Sequence, residues 1–239
     1  MSIYLTGDTH CPLDVEKLNT KLFPAQKGMT REDFVIVLGD FGLLWHEDRE
    51  YRWWKRWFEE KPFTLLWLDG NHENHDWIDS LPVSEWCGGK VHKISDNIIH
   101  LMRGQVFRID DKDFFVFGGA ASHDKEIRRE GISWWSREEA SWAEQNEGLD
   151  NLAKHGNSVD YILTHTCPDS LIRPMFGATP YPTPTGNYLD CIAETLNRYT
   201  RWFFGHWHTE KDYGKYSAMY NSVRNVDSWD HLDKKEGEQ

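Results

Sequence analysis

The sequence predicts one α/β domain in which two sheets pack face to face with helices outside. Three observations carry that expectation. Strand-like and helix-like segments alternate through the first 70 residues, short strands with tight turns follow from 98 to 117, and strand–helix alternation resumes at 161. The 239 residues suffice for a single large core. Neither a repeat nor a linker-like stretch divides them, so one domain is expected over residues 1–227, with a polar tail at 228–239.

The first strand is read at residues 3–6, where Ile3-Tyr4-Leu5-Thr6 runs into Gly7-Asp8-Thr9-His10 and Pro12 stops further pairing. A short helix over 14–22, capped by Asp14, comes next. Residues 34–38 form a wholly apolar second strand. A helix over 50–60 puts Trp53, Trp54, Trp57 and Phe58 on one core-facing stripe. The third strand, 64–68, ends in Asp69-Gly70-Asn71-His72-Glu73. Residues 81–96 read as irregular. Strands at 98–102, 106–109 and 114–117, with Asp110-Asp111-Lys112-Asp113 as a hairpin turn, suggest an antiparallel meander. The charged stretch 125–152 is helical in its second half. A buried strand at 161–164 ends at His165, and a loop holding Pro174, Pro180, Pro182 and Pro184 precedes a helix over 187–198. A strand at 201–204 leads into Gly205-His206-Trp207-His208, and strands at 216–220 and 222–226 close the domain.

Composition narrows the function classes. A formal net charge of −12 opposes loose, nonspecific binding to nucleic acid, which needs Lys and Arg to neutralise phosphates. No apolar run is long enough to span a bilayer. The N-terminus enters a strand directly, without a basic region ahead of an apolar one, so a soluble cytoplasmic protein is expected. Cys11, Cys87, Cys167 and Cys191 are too scattered for a metal clip and read as reduced thiols.

Five separated segments share one design. An apolar run ends in a loop that begins with Asp, Asn or His, usually beside glycine: Gly7-Asp8-Thr9-His10, Gly39-Asp40, Gly70-Asn71-His72, Thr164-His165 and Gly205-His206-Trp207-His208. Strand ends along one edge of an α/β sheet are where ligand crevices form. Spacing of two lets Asp8 and His10, and likewise His206 and His208, point to one side of an extended segment. Any one segment alone is more simply a turn; the ordered set of five is not. Asp8, His10, Asp40, Asn71, His165, His206 and His208 make seven donors, and if Asp40 bridges, each of two ions receives four. Mixed nitrogen and oxygen donors suit Mn²⁺, Fe or Zn²⁺ better than Ca²⁺ or Mg²⁺, with manganese preferred. A pair of ions clamps the attacking and leaving oxygens of an in-line displacement.

GDTH (7–10), GDFG (39–42), GNHE (70–73), TH (164–165) and GHWH (205–208) resemble the five motifs of the calcineurin-like metallophosphoesterases. The resemblance implies a four-layer αββα sandwich, two mixed sheets flanked by helices, around a binuclear centre. It implies one ion on Asp8, His10, Asp40 and His208, and another on Asp40, Asn71, His165 and His206. It further implies in-line attack on a phosphoester by a hydroxide held between the ions, with His72 assisting the leaving oxygen. GNHE is typical of the protein Ser/Thr phosphatase branch, but that branch has arginine where this chain has Asp69, and an Asp-Arg pair where it has Leu43-Leu44. Both phosphate-gripping arginines and the usual acidic partner of the catalytic histidine are thus missing.

Those departures favour a nucleotide phosphodiester over a phosphomonoester or phosphoprotein as substrate. A noncatalytic scaffold of the same fold is the rival, opposed by the complete donor set. The stretch Gly118-Gly119-Ala120-Ala121-Ser122-His123-Asp124-Lys125, continuing to Trp135, resembles a segment of small bacterial and phage phosphoesterases. Lys125 or Arg128, with Arg129 behind them, is the expected phosphate contact. Trp134 and Trp135 are read as core or rim packing before base stacking. Of the remaining histidines, His46, His92, His100, His155 and His231 are taken as surface or packing residues, while His75 and His123 are the ones to support the site.

Overall fold

The computed structural model describes residues 1–229. Its strands are β1 (Ile3–Thr6), β2 (Phe34–Val37), β3 (Thr64–Trp67), β4 (Val83–Trp86), β5 (Gly89–Ser95), β6 (Ile98–Leu101), β7 (Gln105–Ile109), β8 (Lys112–Phe117), β9 (Tyr161–Thr164), β10 (Arg201–Phe204), β11 (Lys211–Tyr213), β12 (Tyr216–Ala218) and β13 (Arg224–Asn225). Its helices are α1 (Arg49–Glu59), α2 (His75–Asp79), α3 (Trp142–Lys154), α4 (Asp169–Phe176) and α5 (Pro184–Thr195). One sheet runs β13-β1-β2-β3-β6-β5-β4 and the other β11-β12-β10-β9-β8-β7. Strands β1, β2, β3 and β6 are parallel, as are β8, β9, β10 and β12. Both sheets are therefore mixed, with antiparallel strands at their edges, and the four-layer sandwich holds.

The layering follows from side-chain alternation along buried strands. Leu5, Ile36, Leu66, Val116, Leu163 and Phe203 meet between the sheets. Their neighbours face outward: Val37, Leu65 and Trp67 join Phe41 and Phe58 under α1, while Phe115, Ile162 and Phe204 pack with residues of α4 and α5. No helix among the described residues is long and apolar enough to cross a membrane.

Several local expectations need correction. The 14–22 helix is only a 3-10 turn, Val15–Leu18, and the Asp14 side chain does not cap it. Residues 81–96 are not irregular: β4 and β5 pair as a hairpin across Cys87 and Gly88, whose φ values of 48° and 90° supply the left-handed turn. Cysteine is an unusual residue there, so the turn carries little signal. The 98–117 meander splits between the sheets. Strand β6 joins the first sheet beside β3, while β7 and β8 form a hairpin in the second. Asp110 and Asp111, at φ 50° and 59°, make its two-residue turn.

On α1, Trp53 is 57% exposed and Phe58 carries the burial, so the aromatic stripe is only partly core. The proline-rich loop contains α4, which tolerates Pro174 near its end before Gly177 terminates it at φ 71°. The following helix starts at Pro184 rather than 187, because Thr183 accepts from Gly186 N and proline suits the first turn. The last two strands are shorter than read, and β11 was not anticipated. His231 lies outside the described residues.

Candidate metal centre

In-register pairing of β1 with β2 and β2 with β3 aligns their C-terminal ends, and β9 with β10 does the same in the other sheet. The loops that follow therefore meet at one edge of the sandwich. Their backbone is strained toward this purpose: His10, Asp40, His206 and His208 all have positive φ, between 38° and 65°. Gly70 is required there, since a Cβ would lie 2.0 Å from Asp40 Oδ1. At Gly39, with φ 90°, a Cβ would lie 2.1 Å from His165 Nδ1.

The side chains converge in two groups. Asp8, His10 and His208 bring candidate ligand atoms within 4.8 Å of one another, as do His10, Asp40 and His72. His208 Nε2 lies 3.0 Å from Asp8 Oδ2, and His10 Nε2 lies 3.2 Å from Asp40 Oδ2. On the other side Asn71 Oδ1 is 3.1 Å from His165 Nε2 and 3.0 Å from His206 Nδ1, with Asp40 Oδ1 3.4 Å from His165 Nε2. Asp40 thus stands between the two groups.

The donor chemistry fits divalent ions. His165 Nδ1 donates to Leu38 O at 2.8 Å, so a neutral ring turns its Nε2 lone pair toward the oxygens of Asn71 and Asp40. Lone pair facing lone pair is an arrangement that a cation resolves. Without an ion, a proton on His165 takes the place of that positive charge. Burial lowers the His165 pKa, but the Asp40 and Asp8 carboxylates outweigh it and push it up to about 9. Asp40 is held well below the usual carboxylate range despite its burial, chiefly by His165 and His10. Burial and the neighbouring His165 depress His206 to about 3.

Several groups brace these residues, and sequence motifs did not reveal them. Asp14 Oδ2 accepts from His10 Nδ1 at 2.9 Å, which is its role in place of helix capping. Lys17 is buried and donates to Gly7 O, Asp8 O and Tyr220 O at 3.2, 2.5 and 2.6 Å, pinning the first loop. Glu73 does not contact His72. It accepts from Phe41 N at 2.7 Å and from Gly42 N, so it shapes the loop after Asp40; burial and the Asp40 charge raise its pKa well above normal. Asn71 Nδ2 donates to Ser122 Oγ at 3.0 Å.

His72 has a cationic neighbour instead of an acidic one. Arg128 Nη1 lies 3.0 Å from His72 Nδ1, and Arg128 Nε donates to Asp124 Oδ1 at 2.7 Å. Arg128 Nη2 also lies 3.5 Å from His72 Nε2, so the guanidinium, which can only donate, faces the edge of the ring that carries both nitrogens. Burial lowers the His72 pKa, Asp40 opposes this, and Arg128 reinforces it. Lys125 is exposed and lines an open recess with Ser122, His123 and Tyr181; it contacts none of the converging residues. The buried Trp135 donates to Asp76 and packs edge-on against Trp45, while the half-buried Trp134 donates through Nε1 to Glu138. His123 is exposed, 6.2 Å from the His206 ring between centroids.

Asp69, standing where a phosphatase arginine would be, is turned away into a buried cluster. It accepts from Arg103 Nε and Nη2 at 2.8 and 2.5 Å and lies 3.3 Å from His100 Nε2. His75 is buried beside this cluster, and His92 stacks on His100. These histidines support the loop of Asn71 from behind.

The family model for calcineurin-like phosphoesterases matches residues 1–210. The chain belongs to this family. This calcineurin-like phosphoesterase is similar in structure to a phosphopantetheinyl hydrolase, PptH, from Mycobacterium tuberculosis, with TM-score 0.41 and 13% identity over 94% of this chain and 95% of that one. No curated protein matches it.

Proposed function

We propose that this phosphoesterase hydrolyses a phosphodiester, with nucleotides the preferred class, at two divalent ions. Asp8, His10, Asp40 and His208 would hold one ion, and Asp40, Asn71, His165 and His206 the other, with manganese the preferred metal. What supports this reading is the approach of His208 to Asp8, of His165 and His206 to Asn71, and of His10 and His165 to the buried carboxylate of Asp40, from loops of both sheets. Bound ions would supply an activated water and neutralise charge on the phosphoryl oxygens.

The chain's own residues would do the rest. His72 would donate a proton to the departing oxygen. Arg128 would hold that ring in place and reach the phosphoryl group from the rim. The cation inventory supports a diester over a monoester. A diester carries one negative charge and a monoester close to two at neutral pH, and the positions of both phosphatase arginines are taken by Asp69 and by the buried Leu43 and Leu44. A recess of about 200 Å³ beside His206, lined by His123, Thr166, Tyr181 and Trp207, gives a second ester arm somewhere to lie.

The direct test loads the protein with Mn²⁺ and compares p-nitrophenyl phosphate with its bis-ester. Faster turnover of the bis-ester is expected; turnover of the monoester alone would overturn the diester reading. Bound metal with no turnover of any phosphoester would favour a scaffold. Arg128→Ala is expected to lower kcat/KM by roughly 10–100-fold, the worth of a charge-assisted hydrogen bond. An unchanged kcat/KM would remove Arg128 from the phosphate. His72→Ala should lower kcat by about 10²–10⁴-fold with both ions still bound.

A further inference from the structure

We propose that Glu138, acting through Ser122, sets which end of the Asn71 amide faces the second ion position. This rests on the two-ion reading above. The two ends of an asparagine amide are nearly equal in shape, so only hydrogen bonding decides which points where. Here the bonds form a directed chain. Ser122 Oγ donates to Glu138 Oε2 at 2.8 Å, and Ser122 N donates to Glu138 Oε1 at 2.6 Å. An ionised carboxylate only accepts, so the single hydroxyl proton of Ser122 is committed to Glu138. The hydroxyl oxygen is left as acceptor for Asn71 Nδ2, at 3.0 Å. The amide oxygen is thereby turned toward His165 and His206.

The chain is closed to water, which makes its polarity binding. Glu138 is 1% exposed, Ser122 5% and Asn71 4%. Reversing the amide would leave Ser122 facing a carbonyl it has no proton to satisfy, a buried mismatch of the kind that costs a full unmade bond. Trp134 Nε1 also donates to Glu138 Oε1, at 2.7 Å, and holds the carboxylate in place. Ser122, Arg128 and Glu138 lie on one segment between β8 and α3, so the same stretch orients Asn71 and contacts His72. Glu138 and Ser122 are positioning residues: neither reaches the ions nor the substrate.

The test titrates Mn²⁺ into purified protein and follows stoichiometry by calorimetry and the spin-coupled pair by EPR. Wild type should take two ions and develop the exchange-coupled signal. Ser122→Ala and Glu138→Gln should each weaken the second ion by about 10–100-fold, leaving a mononuclear six-line spectrum at ion levels that couple the wild type. Ser122→Thr keeps the hydroxyl and should restore coupling. Circular dichroism and thermal melting establish that each variant is folded. Two ions at wild-type affinity in folded Ser122→Ala would overturn the proposal while leaving the two-ion reading intact. Failure of wild type itself to bind two ions would overturn both.

Discussion

Asp40→Ala is expected to lose both ions and to drop kcat/KM by roughly 10⁴-fold or more, because each ion would lose a donor and the bridge between them. Asp40 is 1% exposed at φ 47°, and its carboxylate meets groups from three other segments. Oδ1 accepts from His72 N at 2.7 Å and lies 3.4 Å from His165 Nε2, while Oδ2 lies 3.2 Å from His10 Nε2. Metal analysis after dialysis against Mn²⁺, with the bis-ester assay, checks both halves of the expectation. Full activity in a folded Asp40→Ala protein would refute the assignment. Asp40→Asn separates charge from shape, since it keeps the volume but cannot hold His165 cationic. There the His165 pKa should fall from about 9, readable by NMR of the ring in metal-free protein.

The largest expected effect on stability comes from Arg103→Leu. Arg103 and Asp69 are both at least 95% buried, and Arg103 Nη2 also donates to Arg137 O and Glu138 O at 2.9 and 3.2 Å. Removing the cation strands a buried carboxylate, a defect worth about 3–5 kcal/mol. Urea unfolding should register that loss, and the double variant with Asp69→Leu should recover much of it. The pH dependence has a definite sign. Burial raises the Asp69 pKa, but Arg103 and His100 overcome this and hold it well below the usual value. A depressed carboxylate contributes stability that is complete above its unfolded pKa, about 3.9, and is lost as pH falls through the folded value. The gap between wild type and Arg103→Leu should therefore be constant near neutrality and narrow in acid. A gap that widened below pH 4 would refute the pairing as its cause.

The sequence made the site's framework legible because each donor sits within four residues of the end of a buried strand. Parallel pairing then forces those loops together, so Asp8, Asp40, Asn71, His165 and His206 needed only the strand pattern to be placed at one edge. What it hid were partners that depend on three-dimensional approach. Glu73 stands next to His72 in the chain, yet its carboxylate turns to Phe41 N and shapes the loop after Asp40. Asp14 had the look of a cap and serves His10 instead. Arg128 reaches His72 across 56 residues, and no local spacing announces it. The missed β4–β5 hairpin has a different cause: its first strand is a half-exposed edge with little apolar signal.

The division of donors between the sheets has a consequence for biosynthesis. Asp8, His10, Asp40 and Asn71 follow strands of the first sheet, while His165, His206 and His208 follow strands of the second. The bond from His206 N to Asp8 closes a loop of 198 residues. A nascent chain can form the part of the site that follows β1, β2 and β3 yet cannot complete it until residue 208 has left the ribosome and the sheets have docked. On the proposed two-ion reading, capture of both ions would follow translation and report on finished folding. Ions that bind only the finished protein stabilise it by mass action, so cellular metal supply would set how long the completed chain survives.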